Sequence, residues 1–95
     1  MDKEILIKAI ETYGPYNQLM QAAEECAEFI QALNKWRRAK EAEEDIAALV
    51  HLAEEIADCM IMMEQAKLIV GKDLVDGQIE KKLKRLAERL EAQNG

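Results

Sequence analysis

Ninety-five residues suit one compact domain and leave no room for a second. Thirteen basic residues stand against 19 acidic ones, a net charge of −6, and an acidic surface repels nucleic-acid phosphates at long range. With 49% hydrophobic and 34% charged residues the composition is globular and excludes a disordered tail.

Ala, Glu, Leu, Lys and Gln dominate, which favours helix throughout. The first helix is expected from Asp2 or Lys3 to Tyr13, with Ile5, Leu6, Ala9, Ile10 and Tyr13 at helical spacing. Gly14-Pro15 breaks it, and Asn17 is the expected N-cap of a second helix reaching Arg38. That helix carries Leu19, Ala22, Ala23, Cys26, Phe29, Ile30, Leu33 and Trp36 on a broad apolar face. Residues Ala39 to Asp45 are charged and read as a turn, with the third helix starting near Glu44 and ending at Val70 before Gly71. Asp73 or Asp76 caps a fourth helix with the stripe Ile79, Leu83, Leu86 and Leu90.

Four such helices predict an all-α protein, a four-helix bundle in a single domain over residues 1–95. Around Ile56 to Met63 the third helix is apolar nearly all the way round, and a helix without a solvent face needs cover on every side. Three neighbours barely supply that cover, so a homodimer or homotetramer with the third helix near the interface is expected. Apolar runs such as Cys59 to Met63 fall far short of the roughly 20 residues that span a bilayer, so no membrane association is expected. The stretch MDKEILIKAI has acids where a signal peptide needs a basic end and a long apolar core. Two cysteines, Cys26 and Cys59, make no disulfide framework and read as reduced, buried thiols of a cytoplasmic protein.

Acids interrupt the two most apolar helices. The second contains Glu24, Glu25 and Glu28; the third contains Glu54, Glu55 and Asp58. A spacing of three puts Glu25 with Glu28, and Glu55 with Asp58, on one helix face beside the apolar stripe. If the two helices pack antiparallel, four carboxylates converge. Partly desolvated like charges raise one another's pKa and oppose folding unless a cation joins them. Oxygen-only ligation suits Mg²⁺ or Mn²⁺, and the chemistry that favours is metal-assisted attack on a phosphate ester or anhydride. The plain alternative is a solvated helix face, since a lone E-x-x-E is common. Two matching pairs on the helices where surface acids are least expected weigh against it.

The order EExxE (Glu24, Glu25, Glu28), 26 intervening residues and ExxD (Glu55, Asp58) resembles the MazG-like superfamily of all-α nucleoside triphosphate pyrophosphohydrolases. The segments EECAEFIQALNKWRR, EEIADCMIMMEQ and KKLKRLAERL are similar to compact, phage-type members, and the likeness spans Asn17 to Leu90. The resemblance implies a dimeric or tetrameric helical bundle that hydrolyses a (d)NTP to the monophosphate and pyrophosphate with Mg²⁺, in nucleotide-pool housecleaning. It implies Glu25, Glu28, Glu55 and Asp58 as metal ligands, with Glu24, Glu25 or Glu28 orienting or deprotonating the attacking water. It also implies that Lys82, Arg85 and Arg89 approach the triphosphate, from the same or a partner subunit. Arg37 and Arg38 read either as phosphate contacts or as charges at a helix C-terminus. His51 contacts a base or sugar, or simply pairs with Glu55. Gln18 reads a base edge or merely opens its helix. The competing class is a non-catalytic helical interaction protein that keeps the same bundle.

Overall fold

The computed structural model describes residues 1–94, and nearly all of them are helical, with no strand among them. Four helices follow one another: α1 (Lys3–Tyr13), α2 (Pro15–Arg38), α3 (Ala42–Val70) and α4 (Lys72–Asn94). The all-α expectation is met. No helix among the described residues is long and apolar enough to cross a membrane.

Local chemistry explains the boundaries. Asp2 caps α1, its carboxylate accepting from the backbone N–H of Glu4 at 3.0 Å and of Ile5 at 3.4 Å. Gly14, at φ 90°, ends α1 by donating its N–H to the Ile10 carbonyl. Pro15 then opens α2 at a position where its missing N–H costs nothing. This moves the start of α2 ahead of Asn17, which is not the cap; its side-chain amide donates to the Tyr13 carbonyl at 2.9 Å and ties the two helices together. α3 begins at Ala42, two residues before the expected Glu44, because Glu43, Glu44 and Asp45 suit the positive end of the helix dipole. Gly71, at φ 134°, is the entire link between α3 and α4, so Asp73 lies in the first turn of α4 and not before it. Asp76 then pins the corner, accepting from Lys67 at 2.8 Å and Lys72 at 3.0 Å.

α2 and α3 form the central pair. Gln18 meets Gln65 and Cys26 meets Cys59, so partners fall along α3 as they rise along α2, which makes the pair antiparallel. Buried Ala22 and Ala32 on α2, with Ala48, Leu52 and Met62 on α3, form the contact, and small side chains there let the backbones approach. α1 packs on both helices and buries Leu6. Cys26 and Cys59 are half-buried free thiols, less covered than their apolar surroundings in the sequence suggest.

The four-helix bundle does not close within one chain. α4 packs only against α3 and touches neither α1 nor α2. Its apolar stripe is narrow and its other faces are charged, and the one-residue link at Gly71 directs it away from the central pair. Ile79, Leu83, Leu86 and Leu90 are all exposed, as are Ile30, Leu33, Ile56, Met60 and Met63 of the central pair. The radius of gyration is 16.9 Å, well above the roughly 12 Å of a compact chain of this length.

Candidate metal centre

The antiparallel register brings Glu25 and Glu28 of α2 opposite Glu55 of α3. Each of the three supplies a carboxylate oxygen, and those oxygens lie within 4.8 Å of one another. The Glu55 side chain is only 12% exposed. Glu25 and Glu55 each hold a buried Oε2 with no hydrogen-bond partner. The second oxygen of Glu25 accepts from the Gln21 side-chain amide at 3.1 Å. The second oxygen of Glu55 is 3.9 Å from His51 Nε2, too far for a hydrogen bond. Among the described residues no lysine or arginine pairs with the trio.

The electrostatic consequence falls on Glu28. The Glu25 charge first, then desolvation, then the Glu55 charge hold its carboxyl above the ordinary glutamate value. The neighbouring Cys59 thiol is also held up, first by its contact with Cys26, then by burial, with smaller contributions from Glu25 and Glu55.

Two orphaned buried oxygens and a third carboxylate at the mouth fit a hard divalent cation. All the donors are oxygen, as Mg²⁺ and Mn²⁺ prefer, and a bound cation would supply the partners that both Oε2 atoms lack.

The other residues singled out in the sequence lie elsewhere. Asp58 is exposed and stands outside the trio: it shares a helix face with Glu55, but the register of α2 against α3 sets Glu55, and not Asp58, opposite Glu25 and Glu28. Glu24 is exposed and also outside. Gln18 is buried and donates to Gln65 Oε1 at 2.7 Å, so its side chain is spent joining α2 to α3. Lys82, Arg85 and Arg89 are exposed on α4, which makes no contact with α2, and the chain does not bring them to the trio. His51 stands between Glu54 and Glu55, 3.9 Å from each.

A cleft of about 350 Å³ opens beside the trio, lined by Glu28 and Glu55 with Gln31, Lys35 and His51. A second, of about 370 Å³, shares Lys35 and His51 and ends at Arg38. The α2–α3 groove is therefore acidic at one end, and at the other it sets Lys35 and Arg38 beside a single carboxylate, Glu44. Lys35 had a signal in the sequence: it lies seven residues, two turns, past Glu28 on the same face. No family model matches the chain, and no similar protein is found among curated proteins or solved structures.

Proposed function

We propose that this chain is a Mg²⁺-dependent nucleoside triphosphate pyrophosphohydrolase of the MazG-like type, working in the cytoplasm as a homodimer or homotetramer. The observation that carries the reading is the pair of buried, partnerless Glu25 and Glu55 oxygens beside Glu28, in a groove that runs on past Lys35 to Arg38. The resemblance in motif order supports the choice of reaction.

In this reading Glu25, Glu28 and Glu55 hold Mg²⁺, which when bound neutralises phosphate charge and lowers the pKa of a water. Lys35 and Arg38 attract the far end of the phosphate chain and set its direction along the groove. Glu28 lines the cleft, and its oxygen not bound to the ion would take a proton from the attacking water, ahead of Glu24, which lies outside the trio. His51 walls both clefts and contacts the substrate's polar edge. Water attack at the α-phosphorus releases pyrophosphate and leaves the monophosphate. Lys82, Arg85 and Arg89 enter this scheme only from a second copy.

The test is pyrophosphate release from each canonical NTP and dNTP with Mg²⁺. Glu28→Gln lowers turnover by at least about 100-fold while the helical circular dichroism is kept. Asp58→Asn weakens Mg²⁺ less than Glu28→Gln does if the trio is the ligand set; equal losses put Asp58 among the ligands. Turnover undiminished in Glu28→Gln overturns the site. The exposed apolar stripe of α4 favours one other reading, a non-catalytic assembly protein, and absence of pyrophosphate release across all substrates selects it.

A further inference from the structure

We propose that Cys26 and Cys59 form an oxidisable dithiol that closes into an intramolecular disulfide between α2 and α3, a modification site next to Glu25 and one turn from Glu55. The inference stands independently of the nucleotide reading. These are the chain's two cysteines, 33 residues apart, yet their sulfurs face each other across the helix pair at 3.4 Å. An S–S bond is about 2.05 Å long, so closure asks the sulfurs to approach by about 1.4 Å. Ala22, one turn before Cys26, is buried, and a side chain that small lets the two helices draw together at this level. In the single chain Cys59 lines an apolar groove of about 460 Å³ with Phe29, Ile56, Met60 and Met63, which admits the oxidant whenever a second copy is off this face.

The oxidant is a small-molecule disulfide such as glutathione disulfide. The Cys59 sulfur, after losing its proton, attacks one sulfur of the oxidant. The mixed disulfide forms and one glutathione thiolate leaves, taking up a proton. The Cys26 sulfur, also deprotonated, attacks Cys59 Sγ and displaces the second glutathione. Two protein thiols have then lost two electrons and two protons, and one oxidant disulfide has become two thiols.

The fold, not the mere presence of two thiols, drives closure, and the experiment isolates that contribution. The full chain at micromolar concentration is equilibrated in glutathione redox buffers, with and without about 8 M urea, then acid-quenched. Mass spectrometry and peptide mapping count the reduced, glutathionylated and cross-linked forms. The readout is the equilibrium composition, which slow entry of oxidant past a second copy does not alter. Expected is a monomeric Cys26–Cys59 link whose effective thiol concentration is at least about 100-fold higher in buffer than in urea, with helical circular dichroism retained. Cys26→Ser then stops at a single mixed disulfide on Cys59. Equal effective concentrations in the two conditions overturn the proposal. So does a native sample dominated by intermolecular links or by glutathione on both cysteines, or a linked form that has lost its helix.

Discussion

Replacing Glu55 by Gln stabilises the metal-free protein and removes its response to Mg²⁺. The carboxylate oxygens of Glu25 and Glu55 lie within 4.8 Å, and each residue carries a buried Oε2 that nothing satisfies. Two unit charges at that separation repel by about 1 kcal/mol in a water-like medium and about 3 kcal/mol at an effective dielectric of 20. Gln at position 55 removes that repulsion and presents an N–H₂ to the facing carboxylates. The metal-free variant therefore gains about 1–3 kcal/mol, which raises Tm by at least about 5 °C in a domain of this size. Mg²⁺ narrows the gap: a site with Kd of about 1 mM gains about 1.4 kcal/mol at about 10 mM ion, and the variant gains far less. The assay is thermal unfolding by far-UV circular dichroism, in EDTA and in Mg²⁺, at one fixed protein concentration. A variant that melts below the wild type in EDTA refutes the idea that the trio is electrostatically strained. A wild type whose Tm ignores Mg²⁺ refutes the idea that a cation relieves it.

Lys35→Gln raises KM for a triphosphate by about 10-fold or more with a smaller effect on kcat, because Lys35 lies between the two clefts and not among the carboxylates; steady-state pyrophosphate release checks it, and an unchanged KM removes Lys35 from the phosphate path. Asp76 is held below its ordinary 3.8 first by its hydrogen bond with Lys67 and then by that with Lys72. Its contribution to stability is therefore present above pH 3.8 and lost as pH falls through the lower folded value. Hydrogen exchange of the first turns of α4 reads this: Asp76→Asn lowers their protection factors at pH 6 to the level the wild type reaches only in acid, and identical protection at pH 6 removes the clamp.

How much of this was legible in the sequence depended on whether a feature is local or a matter of register. Helical content and Gly14 and Gly71 as stops follow from propensity and backbone freedom, which act within a few residues. The start of α2 was misplaced because Asn17 is a good cap in isolation, while Pro15 at the first helical position was the stronger signal. Glu25 with Glu28 was readable as a face, since three-residue spacing settles it. Which acid of α3 faces them was not readable, because that depends on how α2 and α3 slide past each other. The observed register puts Glu55 there and leaves Asp58 exposed. Lys82, Arg85 and Arg89 were selected by resemblance alone, and nothing in spacing could have said that α4 leaves the α2–α3 pair. Lys35 carries a signal in its two-turn offset from Glu28, but spacing on α2 alone does not say that α3 sets His51 and Glu55 around the same cleft.

The exposed apolar surface and the open shape lead to one further expectation, that the chain is not a stable monomer. The accessible surface is 7577 Å², whereas a compact monomer of 10.8 kDa exposes about 5,500 Å². The excess, about 2,000 Å² per chain, is within the range that one subunit buries in an obligate dimer. Among the described residues no large side chain is fully buried, and those left outside include Ile56, Met60 and Met63 on α3 and the whole stripe of α4. A second copy covering α3 and accepting the α4 stripe would supply the missing core. Sedimentation equilibrium should then return at least twice the chain mass at micromolar concentration, and Tm should climb with concentration because folding and association are one equilibrium. Met60→Glu, on the exposed face of α3, should lower that association and the helical signal together. A folded monomer with a concentration-independent Tm would mean that α4 folds back on its own chain in solution.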